Sequence, residues 1–440
     1  MENKPFNIIF YFSDQQRFDT INDKVTPFLC ELAEEGINFT NTFTCQPVCG
    51  PARACLQTGI YASKNGCYVN NIALDENAQT IAKLLDKKGY DTAYIGKWHL
   101  ASTRLKMNNQ TKPIKEQLRG GYKYWRASDC LEFTSTGSGG YVYDNDGKKV
   151  EFDYYRADAI NDLALEYLDV RDKSKPYFMF VSQLEPHHQN STDQYECPEK
   201  YKETYKNMPI PKDLEGLKGN YETRYSDYLA CCRSLDDNVK RLVMKLKENG
   251  EWENTILIYT SDHGCHFKTR NMEYKRSCHH ASTHIPLIIA GGVFKGGKVY
   301  DGLVSLIDLP ATILKLAGVD IPSYFDGIPI DEMINGEKSR DCVYVEISES
   351  QLGRAIITKD YTYSCKKRGS FGSEAKESNH YVDDKLYDNE KDPYQKNNLI
   401  RKASYKKIKK ELSQKLLQEI KKSCGSEPKI HNKLTNYKLN

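Results

Sequence analysis

The chain has 440 residues, enough for one large α/β domain or a large domain with a smaller companion. Its 63 Lys and Arg against 60 Asp and Glu leave a formal charge of +3, too balanced to imply nucleic acid or a membrane surface as partner. With 39% hydrophobic residues and a mean hydropathy of −0.69, the surface is well solvated and no run approaches a membrane span.

The 14 cysteines are scattered, include the adjacent Cys231-Cys232 and contain no Cys-x-x-Cys pair. They read as reduced, buried small hydrophobes rather than a disulfide framework or a zinc site. Met1 to Phe6 lead into a strand-like run with no apolar leader, so a cytoplasmic location is expected.

In chain order, Asn7 to Phe12 is a short apolar, aromatic run that predicts a buried parallel strand ending at Ser13-Asp14-Gln15-Gln16. Thr26-Pro27 opens a helix that Gly36 closes, and a second helix begins near Cys49 with Pro51 suited to its first position. Thr80 to Lys88 predicts a helix stopped by Gly89, and Asp91 to Ile95 a strand leading into Gly96-Lys97-Trp98-His99-Leu100. Residues from Ser102 to Phe152 are polar and Gly-rich and read as a variable surface insertion. Ala157 to Val170 predicts a helix, and Tyr177 to Ser182 a buried strand that ends in Glu185-Pro186-His187-His188. Asn190 to Asn220 is irregular, after which Leu229, Leu235, Val239, Leu242, Val243 and Leu246 recur at helical spacing. Thr255 to Tyr259 is the next strand, running to Ser261-Asp262-His263-Gly264; strand Ile285 to Ala290 and a helix from Leu309 to Ala317 complete the alternation.

This pattern predicts an α/β fold over 1–335, a mainly parallel sheet between helices. Beyond it, 336–440 reads as a smaller C-terminal α+β subdomain whose amphipathic helix carries Ile408, Leu412, Leu416 and Ile420 before a polar tail. Asp14, Lys97, His187 and Asp262-His263 each follow the carboxyl end of a predicted strand. Open α/β sheets bind ligands beyond those ends.

Cys49 at a helix start would sit among unpaired N–H groups that favour an anion, and Arg53, one turn later, projects to the same side. Asp14 and Asp262 with His263 make a candidate hard-cation site, with the Gln15 carbonyl able to add oxygen coordination. Taken singly, strand-end aspartates more often cap loops. Lys97 and His99, two apart in extended chain, could face one pocket and donate to a tetrahedral oxyanion.

Cys49-Gly50-Pro51-Ala52-Arg53, followed by Leu56-Gln57-Thr58-Gly59, resembles the maturation signature of the formylglycine-dependent sulfatases, a family of the alkaline phosphatase superfamily. Gly96 to Leu100 is similar to that family's second signature, and Pro186-His187 and the Lys275 to Pro286 segment are similar to further elements. The similarity spans Asn7 to Leu399, including Ser305 to Leu314 and Lys385 to Asp388. It implies a sulfatase in which a maturase oxidises Cys49 to an aldehyde whose hydrate attacks sulfur.

The resemblance further implies a divalent metal at Asp14, Gln15, Cys49, Asp262 and His263, calcium by family default with manganese as the alternative. Gln15 stands where many members have Asp, and His263 where many have Asn. Arg53 would hold the hydrate. Lys97, His187, Lys275 and His280 would contact substrate, with His187 and Lys275 serving the leaving group and His99 as base. His280 occupies the place of a usual Glu; His188, His279 and His284 read as substrate-side or structural. The implied substrate is a sulfate monoester, on a small sulfated carbohydrate if the protein is cytoplasmic. A phosphonate or phosphate ester hydrolase of the same superfamily and a non-catalytic binder of sulfated ligands are the alternatives, and the intact Gly-Lys-Trp-His-Leu segment argues against the first.

Overall fold

Alternating side chains of a few buried strands set the layers. In the strand Asn7–Ser13 every residue is buried; Ile8, Phe10 and Phe12 join one core, Ile9 and Tyr11 the other. The computed structural model describes residues 5–103, 110–369, 372 and 375–432. Its main sheet has eleven strands. Five central strands run parallel in the order Thr255–Ser261, Asn7–Ser13, Tyr177–Ser182, Asp91–Lys97 and Tyr124–Ser128. Antiparallel Leu287–Ala290 follows on one side and Gly139–Tyr143 on the other, so the sheet is mixed but parallel at its centre.

Helices cover both faces, which is why the central strands read as continuous apolar runs. Cys49–Thr58, Ile81–Lys87 and Asp308–Leu316 pack on the Phe10, Phe12 and Phe180 side. Pro27–Glu35, Arg156–Val170 and the 28-residue Tyr221–Glu248 pack on the Tyr11, Met179 and Val181 side. A second, five-stranded sheet begins at Val343–Ile347, and the helix Lys406–Cys424 lays Leu412, Leu416 and Ile420 against it. One continuous apolar cluster runs through both sheets. Among the described residues no helix is long and apolar enough to cross a membrane.

The register of the parallel strands positions the site. Ser13 pairs with Ser261, Phe12 with Ser182, Gly96 with Ser182 and Lys97 with Ser128, so five carboxyl ends finish level. Gly96 has φ +104°, and a Cβ there would lie 1.9 Å from the Ser182 carbonyl oxygen, so only glycine lets these strands approach at the site.

Two expectations are corrected. Ser102 to Phe152 is no surface insertion: its described residues supply the strands Tyr124–Ser128, Ser135–Thr136, Gly139–Tyr143 and Lys149–Phe152, and bury Trp125, Leu131 and Val142. Sheet pairing outweighs its polar composition. The helix at the cysteine motif starts at Cys49, with extended Val48 as its cap and Pro51 in its third position. Pro51 stays within the first turn, where its nitrogen needs no intrahelical partner.

Candidate active site

All ten residues of the helix Cys49–Thr58 are buried, and its N-terminus points at the level strand ends. Cys49 Sγ lies 2.8 Å from Lys275 Nζ, 3.3 Å from His263 Nε2 and 3.4 Å from Asp14 Oδ1. Asn70 Oδ1 accepts the Gly50 N–H at 2.9 Å, satisfying one donor of the helix start. Burial opposes ionisation of the Cys49 thiol, yet Lys275, Lys97 and His263 hold it well below its ordinary pKa. The strand ends therefore enclose an anion site centred on residue 49.

Ligand atoms of Asp14, Cys49, Asp262 and His263 all lie within 4.8 Å of one another, and all four residues are buried. Asp262 Oδ1 accepts the backbone N–H of Gln15 at 2.9 Å and of His263 at 2.8 Å, whereas its buried Oδ2 has no hydrogen-bond partner. Gln15 Oε1 is likewise buried without a partner, its Nε2 lying 3.2 Å from Tyr195 OH. His263 Nδ1 donates to the Gly264 carbonyl at 3.0 Å, which aims Nε2 at Asp14 and Asp262, 3.8 and 3.4 Å away. Burial and then the neighbouring Asp14 charge push the Asp262 carboxyl up to about 7. Orphaned oxygens, a pair of repelling carboxylates and one oriented imidazole fit a divalent cation with oxygen preference.

Cations line the opposite side. Lys97 Nζ sits 2.9 Å from Asp14 Oδ2 and 3.1 Å from Glu132 Oε1, with no solvent exposure. Lys275 Nζ lies 3.2 Å from His187 Nε2. Although burial disfavours the charge on both lysines, carboxylates and the Cys49 sulfur keep them above the ordinary lysine value. His187 is pushed down by burial and by Lys275, so it is neutral at physiological pH; its Nδ1 donates to the His188 carbonyl at 2.6 Å and Nε2 keeps a lone pair toward Lys275. His99, at φ +60°, has a buried Nδ1 without a partner. It shares with Cys49, His187 and Lys275 one cavity of about 550 Å³.

Arg53 lies among the same strand ends, and its buried Nε has no hydrogen-bond partner. Its guanidinium donates to Asp14 Oδ2 at 3.0 Å, to the Lys97 carbonyl at 2.9 Å and to Ser182 Oγ at 2.7 Å, tying three strand ends together. His280 is not brought to this cavity. Arg276, at φ +70°, turns the chain after Lys275, and His280 Nε2 lies 3.0 Å from Thr362 Oγ1 of the second sheet. His279 and His284 are also satisfied away from Cys49, by Tyr387 OH and the Thr40 carbonyl. His188 lines the cavity, its ring stacked on His187 at 4.4 Å and tilted against Tyr274 at 4.1 Å. Sequence reasoning passed over Glu132, Arg276 and Glu349, which also line it. For Glu132 a signal existed, since it follows the strand Tyr124–Ser128 as the other site residues follow theirs.

Residues 7–319 match the family model described as Sulfatase, and residues 270–422 the one described as N-sulphoglucosamine sulphohydrolase, C-terminal. An ulvan-active sulfatase of Formosa agariphila is 29% identical over 437 residues, spanning 94% of this chain and 81% of its own length. An N-acetylglucosamine-6-O-sulfatase of Bacteroides thetaiotaomicron is 28% identical over 513 residues, spanning 96% of this chain and 87% of its own. A solved structure of a protein in complex with its substrate D-glucosamine-2-N,6-O-disulfate is similar at a TM-score of 0.78 and 25% identity, over 97% of this chain and 99% of that one. With a family model matching most of its length, the chain belongs to the sulfatase family of the alkaline phosphatase superfamily and is a sulfuric ester hydrolase.

Proposed function

We propose that this chain removes sulfate from O-sulfated carbohydrates, using residue 49 in its matured formylglycine form and a divalent cation at Asp14, Gln15, Asp262 and His263. The observation that carries the reading is the buried pairing of Lys97 and Lys275 around residue 49, beside a carboxylate pair with an orphaned oxygen. The names of the relatives, which act on ulvan and on N-acetylglucosamine sulfate, support a carbohydrate ester. An unmodified thiol would leave a thiosulfate ester with no internal route to release. Calcium suits the oxygen-rich donors, and His263 keeps manganese as the alternative.

When bound, the cation lowers the pKa of a hydroxyl at residue 49 and screens the sulfuryl oxygens. Lys97 and Lys275, both buried, donate to those oxygens from surroundings of low dielectric, where each charge acts strongly. Asp14 and Glu132 hold Lys97 in place, and Arg53 fixes Asp14. Lys275, held 3.2 Å from the acceptor His187 Nε2, delivers the proton to the leaving oxygen, His187 orients it, and His99 Nδ1 takes a proton from residue 49. Sulfate release from a panel of sulfated sugars, followed by ion chromatography on protein co-produced with a formylglycine-generating maturase, tests the reading. Turnover that disappears in Cys49→Ala supports it; faster hydrolysis of aryl phosphonates than of any sulfate ester overturns it.

A further inference from the structure

The cavity extends outward from Cys49 past Lys275, and its volume of about 550 Å³ leaves room for one sugar ring beyond a sulfate. Two adjacent residues of the short helix Leu131–Thr134 stand out in its wall. Glu132 is 5% exposed; its Oε1 accepts from Lys97, and its buried Oε2 has no hydrogen-bond partner. Burial raises its pKa, but Lys97, His99 and His187 hold it below the ordinary value, so both oxygens act as acceptors. An ionised oxygen buried without a donor is costly unless a ligand supplies one. Phe133, the next residue, is 45% exposed although it lines the same cavity. In the same cavity, Asn71 Oδ1 accepts from Gln110 Nε2 at 2.9 Å, which orients both amides.

We propose that Glu132 and Phe133 together select a pyranose as the leaving group: the face of Phe133 covers the C–H face of the ring, and Glu132 Oε2 accepts a hydrogen bond from a ring hydroxyl or amino group. The negative face of the aromatic ring attracts those C–H bonds. Sulfates without a ring donor gain nothing from Glu132. The inference rests on the sulfatase reading above and concerns the alcohol side of the same site.

Calorimetry on Cys49→Ala protein separates the two. Ethyl sulfate reports the sulfate end alone, and a panel of glucose, galactose and glucosamine monosulfates reports the ring. At least one sugar sulfate is expected to bind about tenfold more tightly than ethyl sulfate. Phe133→Ala should reduce that ratio to within about twofold while leaving ethyl sulfate affinity unchanged. Glu132→Ala should reduce the ratio similarly, since any effect through Lys97 is common to both ligands. A ratio that survives either variant overturns the proposal, as does a parent protein that prefers no sugar sulfate. Failure of ethyl sulfate itself to bind would overturn the sulfate end, and this inference with it.

Discussion

Replacing Lys275 with Gln probes the leaving-group side most sharply. Its Nζ lies 2.8 Å from Cys49 Sγ and 3.2 Å from His187 Nε2, in a side chain only 4% exposed. A unit charge about 4 Å from developing charge is worth about 4 kcal/mol at an effective dielectric near 20. Loss of one preorganised donor in enzymes costs about 10²–10³ in kcat, the same range. That loss has two parts, sulfuryl-oxygen stabilisation and protonation of the leaving oxygen. A nitrophenolate departs without a proton, whereas a sugar alkoxide does not. Initial rates of sulfate release from N-acetylglucosamine 6-sulfate and from 4-nitrophenyl sulfate should therefore fall unequally, by about tenfold more for the sugar ester. Equal losses for the two esters would remove Lys275 from proton delivery. A raised KM at unchanged kcat would refute both roles.

Asp14→Asn leaves Lys97 and Arg53 buried with one shared carboxylate fewer, so urea unfolding should show a loss of about 3–5 kcal/mol; a change below about 1 kcal/mol contradicts the network. His284, pushed down to about 3 by burial, is neutral when folded and charged below pH about 6.5 when unfolded, so its stabilisation is lost as pH falls from about 6.5 toward 3. Parent and His284→Gln should accordingly differ in the pH slope of the unfolding free energy from urea titrations, by about 1.4 kcal/mol per pH unit in that window; identical slopes refute the assignment. Chelation should lower both activity and Tm, with calcium or manganese restoring them, whereas indifference to the chelator would exclude the cation at Asp14 and Asp262. Gly96→Ala should yield little folded protein, because the new methyl meets the Ser182 carbonyl; a soluble variant with parental Tm would contradict the close approach.

The strand-end positions of Asp14, Lys97, His187 and Asp262 were legible because fully buried parallel strands leave long apolar runs, and the chemistry begins where those runs stop. What composition hid was the far side of the sheet. Tyr124–Ser128 alternates, with Arg126 half-buried, and Gly139–Tyr143 begins with two glycines, so neither looks like a strand until its neighbour is known. Glu132 was lost with them. His280 failed for a local reason, since a left-handed residue at Arg276 reverses the direction that spacing from Lys275 assumes. Glu349 reaches the cavity from the second sheet, where its Oε1 accepts the Asn70 N–H at 2.7 Å and its other oxygen pairs with Arg276. No local pattern announces a contact across some 280 residues of sequence.

Mass spectrometry of the peptide that contains Cys49, read beside turnover on the same preparations, tests the central claim most directly. Protein co-produced with a maturase should carry an aldehyde in place of the thiol, and sulfate release should rise in proportion to the aldehyde fraction. Full activity in protein whose Cys49 is entirely thiol would contradict it.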